Sequence, residues 1–217
     1  MNHLICPICQ HSNPHTRLIG PDPRTYWLCN NCSVIFADPS SFLSEVEEKE
    51  RYDLHNNDED DPRYIKFLSQ AIDMAIPFLK ESDKVLDFGC GPVMALLNEL
   101  KRKVNCKITP FDPFYFPDDP SDNAPFDCIF STEVFEHLNN PQNALSQIDH
   151  WLKPNGYLCI MTQMYPTDLS TFQNWYYARD PTHVVFYSKA TFEFLQKRYG
   201  WTLIESDQSR VFLFQKN

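Results

Sequence analysis

Glycine is scarce in this chain: 217 residues carry only 5, against 17 prolines. No apolar run approaches the roughly 20 residues that a membrane-spanning helix needs. The N-terminus has no basic-then-apolar secretory pattern, because Pro7 and polar residues follow the first cysteine pair. Cytoplasm is therefore the expected location. Basic residues are outnumbered, 19 Lys and Arg against 29 Asp and Glu, for a net charge of −10. That balance disfavours a protein that grips nucleic acid by neutralising phosphates. Much of the acid is local, since 45–61 holds nine carboxylates against Lys49 and Arg51. Such a run reads as a solvated connector, or alternatively as a face that repels anions or meets a basic partner.

With so few glycines, two of them one residue apart carry information. Val85-Leu86-Asp87-Phe88-Gly89-Cys90-Gly91-Pro92 follows an apolar run and precedes a helical pattern over 94–100. A strand, a glycine turn and a helix start make a cradle for a nucleotide-like ligand. The dinucleotide fingerprint G-x-G-x-x-G fails, because its third glycine position is Met94. The phosphate loop fails too, for want of Gly-Lys-Ser/Thr. Asp87, ahead of the first glycine, favours a ligand with positive charge. Asp112 lies about twenty residues beyond the turn, after a candidate strand over 105–111, where an acid can accept hydrogen bonds from ribose hydroxyls.

These features resemble a class I S-adenosylmethionine-dependent methyltransferase. The resemblance runs from Val85 to about Trp201. Residues 85–92 are similar to the family's first motif and Asp112 to its ribose-binding acid. Residues 126–138 (FDCIFSTEVFEHL) resemble its fourth strand and following turn, and 152–158 (LKPNGYL) the turn into its fifth. The fold implied is α/β: a Rossmann-like, doubly wound, mostly parallel sheet with a C-terminal antiparallel strand pair. The resemblance implies cofactor contacts from Asp87, Phe88, Gly89, Cys90, Gly91, Asp112, Pro113, Thr132 and Glu133. It also implies that the segment before the first strand (Tyr52, His55, Asn56, Tyr64) folds over the cofactor, Tyr64 being the contact assigned there. Val93 departs from the family's usual third glycine. Another departure is the proline-rich 113–125, too short and too broken for the expected helix and third strand. The third element is then shortened or absent. Asp122 and Asn123 are candidates for adenine, against the alternative of a solvated loop.

Cys6, Cys9, Cys29 and Cys32 form C-x₂-C, x₁₉, C-x₂-C. Two such knuckles match a zinc ribbon in which four thiolates complete a tetrahedral shell. His3, His11 and His15 are then bystanders. Disulfides are disfavoured by the expected compartment. If the metal is purely structural, its removal unfolds residues before about 39 and spares the rest. Cys90, Cys106, Cys128 and Cys159 read as small buried hydrophobes. The expected units are a zinc ribbon (1–40), an acidic connector with helices covering the cofactor site (41–80) and the methyltransferase domain (81–217).

Methyl transfer from a sulfonium depends largely on alignment, with a base needed only if the acceptor loses a proton. His137 follows Glu136 just past the fourth strand. It serves catalysis or cofactor contact, or else packs against the next turn. His183 and Tyr187 lie in 179–188 (RDPTHVVFYS), after an aromatic lead-in (Phe172, Trp175, Tyr176, Tyr177) suited to a lid or acceptor pocket; the alternative is that His183 caps the next helix. The acceptor is unidentified, a small molecule or a protein, and the product is S-adenosylhomocysteine. The ribbon would complete the acceptor site or recognise a protein partner. Two alternatives remain. One is an rRNA or tRNA methyltransferase, against which stands a ribbon whose only Lys or Arg are Arg17 and Arg24. The other is a non-catalytic S-adenosylmethionine-binding module.

Overall fold

A computed structural model describes residues 4–12, 15–54 and 61–217. His3, His55 and Asn56 lie outside them. The chain opens with three short strands, β1 (His15–Ile19), β2 (Thr25–Cys29) and β3 (Ile35–Ala37). Helix α1 (Glu45–Asp53) starts at a capping box, in which Ser44 and Glu47 satisfy each other's backbone N–H groups. Helix α2 (Pro62–Ala75) starts at Asp61 with proline in its first turn, where the missing N–H costs nothing.

The main sheet then builds up through β4 (Lys84–Phe88), α3 (Ala95–Lys103), β5 (Lys107–Phe111), β6 (Phe126–Thr132), α4 (Pro141–Trp151) and β7 (Leu152–Met161). The chain then passes through β8 (Val185–Phe186), outside that sheet, and the main sheet closes with α5 (Lys189–Tyr199), β9 (Trp201–Ser206) and β10 (Val211–Lys216). Ser188 caps α5 at its start and Gly200, at φ 70°, ends it in the left-handed conformation. His183 therefore does not cap that helix.

The six-stranded sheet runs β5-β4-β6-β7-β10-β9. Strands β4 to β7 pair in parallel, and β10 pairs antiparallel with β7 and β9, the doubly wound architecture with a terminal antiparallel pair. Alternation along the strands divides the core. Val85, Cys128, Phe130, Cys159 and Leu213 face α2 and α3, while Leu86, Ile129, Leu158, Ile160 and Phe214 face α4 and α5. Beyond β5 no third strand occurs among the described residues. Residues 113–125 hold one bridge (Asp112 with Phe116) and a 3₁₀ turn, Pro120–Asn123. Asp122 and Asn123 are exposed there and do not line the cavity described below, so the solvated-loop alternative holds.

The N-terminal strands are not a free-standing appendage. Their sheet is four-stranded, β1-β2-β3-β8, and its last strand comes from 150 residues further along the chain (Ile35 with Phe186, Phe36 with Val185). Tyr26, Val34, Ile35 and Phe36 belong to the same apolar cluster as Phe135, Phe172, Tyr187 and Phe192. Among the described residues no helix is long and apolar enough to cross a membrane.

Candidate functional site

At the carboxyl end of β4 the backbone turns on Gly89 (φ 78°) and Gly91 (φ 66°). A Cβ on Gly89 would lie 2.3 Å from Val134 Cγ2, so close packing excludes any side chain there. One on Gly91 would meet nothing within 4 Å. The turn is tied to β5, with Gly89 and Cys90 N–H donating to Phe111 O at 2.7 and 3.1 Å. Asp112 organises its other side. One carboxylate oxygen accepts from Gly91 N (3.0 Å) and the other from Phe114 N (2.9 Å) and Tyr115 N (3.3 Å). Asp87 is 2% exposed, and its buried Oδ1 has no hydrogen-bond partner. Burial, reinforced by Asp112, pushes its carboxyl up to about 7.

These groups line one end of a cavity of about 620 Å³. A buried carboxylate oxygen without a partner beside an open glycine backbone fits a ligand that brings positive charge, as the sulfonium and ammonium groups of S-adenosylmethionine do. Phe88, Cys90, Pro113, Thr132, Glu133 and Tyr64 also line the cavity. Burial near Asp87 and Glu133 raises the Tyr64 phenol to about 12.

The other end is built after β6. Glu133 turns the chain at φ 53° and donates its N–H to Met161 O (2.7 Å). Its carboxyl is pushed up to about 8 by burial and by the neighbouring Glu136. A 3₁₀ turn, Phe135–His137, then presents Glu136 and His137 to the cavity. Glu136 is fully buried and accepts from Thr162 Oγ1 (2.7 Å) and the Tyr177 hydroxyl (2.6 Å). His137 packs edge-on against His183, with ring centroids 4.6 Å apart, and against Tyr52 at 5.2 Å. His183 Nδ1 meets Tyr177 O at 2.7 Å. Burial first, then His137, lowers the His183 imidazole to about 4, so the ring is neutral at ordinary pH.

The loop that carries His183 is held by the N-terminal sheet. Arg24 spreads its guanidinium over four of the loop's carbonyls: Ala178 (2.6 Å), Asp180 (3.0 Å), Pro181 (3.1 Å) and His183 (3.0 Å). Val184 links the two sides. Its N–H donates to Glu136 O (2.8 Å) while its carbonyl accepts from Ala37 N (2.8 Å). From α1, Arg51 bonds Asp180 at 2.9 Å, and Asp180 also accepts from the Thr182 hydroxyl. Although burial opposes it, those bonds hold the Asp180 carboxyl well below the usual carboxylate range.

Of the three residues expected to be catalytic, His137 and His183 face each other across the cavity wall, and Tyr187 does not line it. Tyr187 is fully buried, donates to Phe135 O (3.1 Å) and stacks on Phe192, which makes it a support behind the wall. Glu136 and Arg24 were not assigned a site role from the sequence. Glu136 carried a signal, standing three residues after Glu133 and next to His137; Arg24 carried none, because its partners are more than 150 positions away.

Cys6, Cys9, Cys29 and Cys32 converge with their sulfurs within 4.8 Å of one another, Cys6 to Cys32 at 3.6 Å and Cys9 to Cys29 at 3.5 Å. Four sulfurs at Zn–S distances of about 2.3 Å would stand about 3.8 Å apart in a tetrahedron, so the cluster fits such an ion. None of the four is in a disulfide.

Fold and site together define a class I S-adenosylmethionine-dependent methyltransferase domain. The sequence matches the family described as methyltransferase domain over residues 58–206, and the chain belongs to that family. Comparison with curated proteins gave no match. Among solved structures it resembles 1,6-didemethyltoxoflavin N1-methyltransferase of Burkholderia thailandensis, with 1,6-didemethyltoxoflavin and S-adenosylhomocysteine bound (13% identity, 93% of this chain and 99% of that one, TM-score 0.57). It also resembles a cyclopropane synthase of Mycobacterium tuberculosis (17% identity, 75% and 76%, TM-score 0.55). Against coclaurine N-methyltransferase the match covers 65% of this chain and about half, 48%, of that one (20% identity, TM-score 0.45). At these identities the likeness is one of fold.

Proposed function

We propose that this protein transfers the methyl group of S-adenosylmethionine to a small-molecule acceptor enclosed between the glycine turn and the loop that carries His183. The observation that supports this reading best is a single cavity, about 620 Å³, with the Asp87 turn at one end and Glu136, His137 and His183 at the other. A volume of that size suits a cofactor with a compact acceptor beside it.

Asp87 is assigned to the cofactor's positive charge, Asp112 to its ribose and Gly89 to Gly91 to close backbone approach, with Phe88, Pro113, Thr132, Glu133 and Tyr64 as walls. The bound cofactor supplies an electrophilic methyl on a sulfonium. His137 and His183 are assigned to the acceptor, whose end of the cavity they line. Tyr52 and the 176–183 loop exclude water, and alignment of acceptor and methyl then supplies much of the rate. The four cysteines are assigned a structural Zn²⁺, which holds the strands on which that loop rests. Cytoplasmic location belongs to the same reading.

A radiolabelled-methyl assay on cell extract, split into small molecules, RNA and protein, tests the assignment. Label in the small-molecule fraction is expected. Label confined to RNA would overturn it in favour of an RNA methyltransferase, and no transfer to any fraction in favour of a binding module.

A further inference from the structure

The cavity end away from the glycine turn concentrates donor groups beyond what orienting an acceptor requires. Glu136, His137 and His183 each present a metal-ligating atom, and those atoms lie within 4.8 Å of one another. All three residues line the cavity. We propose that they bind a divalent first-row transition-metal ion, a site separate from the four cysteines.

The supporting shell is what distinguishes a metal site from two packed histidines. Each imidazole has Nδ1 against a backbone carbonyl, His183 on Tyr177 O at 2.7 Å and His137 on Thr182 O at 3.3 Å. A carbonyl can only accept, so each Nδ1 carries a proton, and Nε2 is the nitrogen through which each ring would bind an ion. Fixing tautomer and ring orientation through the far nitrogen is how proteins prepare a histidine for a metal. His137 Nε2 stands 3.8 Å from Glu136 Oε1, so the two donors already face one another.

Glu136 is oriented in the same manner. Thr162 and Tyr177 each donate to one of its oxygens, leaving further lone pairs available. Tyr177 OH also reaches Glu133 Oε2 at 3.2 Å, which draws a second carboxylate to the cluster. Glu133 Oε1 is buried and lacks a hydrogen bond, with Arg210 NH1 at 3.5 Å. Glu133 and Glu136, joined through one phenol, gather two carboxyl groups beside the two imidazoles.

Two imidazoles and a carboxylate leave coordination positions open, and imidazole donors suit Zn²⁺, Fe²⁺ and their neighbours. The consequence for catalysis rests on the methyl-transfer reading above. A hydroxyl of the acceptor that binds the ion loses its proton to solvent more readily. Its oxygen then forms the bond to the methyl carbon as the carbon–sulfur bond breaks, the electron pair going to sulfur. The acceptor class this favours is a hydroxylated small molecule, giving a methyl ether.

The test is metal binding by the full chain with its cysteine site filled by zinc. Mn²⁺ is titrated and bound ion read by electron paramagnetic resonance, with metal content of Co²⁺-loaded protein as a second measure. One ion per chain beyond the cysteine site is expected. H183N, H137N and E136Q should each weaken it on the order of 100-fold or more, since even outer-shell losses reach that size. Thermal unfolding and S-adenosylmethionine binding establish that each variant is folded. No ion beyond the cysteine site, or equal affinity in all three folded variants, overturns the proposal. Cofactor binding without a second metal would leave methyl transfer standing, whereas metal binding without cofactor binding would do the reverse.

Discussion

Replacing Arg24 by Ala should loosen the loop over the acceptor end while sparing the cofactor end. Arg24 is 11% exposed and donates to four carbonyls of the 178–183 segment while pairing with Asp22 at 2.8 Å. A hydrogen bond to a charged group is worth about 1.5–3 kcal/mol in a buried setting. The Pro181 bond is exposed, so water replaces it at little loss, and the other three share one guanidinium. Taking these together as about 3 kcal/mol, amide exchange across 178–186 should accelerate on the order of 100-fold. Methyl transfer at limiting acceptor should fall by a similar factor, because His183 is no longer held. Arg24→Lys keeps the charge but not the fork and should lose roughly half of that free energy. Exchange measured by mass spectrometry, with calorimetric S-adenosylmethionine affinity as control, reads both ends. Unchanged exchange in 178–186, or an equal loss of protection in β4 and β5, would refute the reasoning.

Asp87 gives a pH prediction. Its folded carboxyl sits near 7, above its ordinary value, so the protein without cofactor loses stability as pH rises from about 4 through 7. A bound cation favours the carboxylate, so cofactor affinity should fall by up to about tenfold per pH unit below 7 and level off above it; Asp87→Asn should remove that slope in calorimetry. The two glycines should separate packing from binding. Gly89→Ala meets Val134 at 2.3 Å and should lower the unfolding midpoint well beyond the roughly 1–2 kcal/mol that left-handed backbone alone costs. Gly91→Ala should show only that smaller loss, with cofactor affinity reduced because its Cβ points into open space. With the proposed metal on the four cysteines, chelation should expose amides in 176–187 as well as before residue 39, since β3 and β8 share a sheet. Protection retained in 176–187 would restore the independent ribbon.

Much of this was legible in the sequence because it is local. Short, nearly continuous buried runs mark β4 and β6, period-three-to-four burial marks α2, and Ser188 with Gly200 brackets α5. The glycine turn, Asp112, the prolines of 113–125 and the two cysteine knuckles are likewise fixed by neighbours in the chain. The turn and Asp112 place a cofactor end on the sheet because a strand end and a positive-φ glycine are local backbone choices. What local pattern could not yield is which side chains meet across distance. Tyr187 looked catalytic in sequence but packs against Phe192, while Arg24 looked incidental and holds the His183 loop. The domain boundary near residue 40 follows composition, yet β3 finds its last partner at β8, since an edge strand with unpaired backbone groups takes whatever the fold brings beside it. Sequence alone determined the kind of fold and its cofactor end. Tertiary packing decided the far end of the cavity, because that end is assembled from segments widely separated in the chain, and only burial together brings their polar groups within bonding distance.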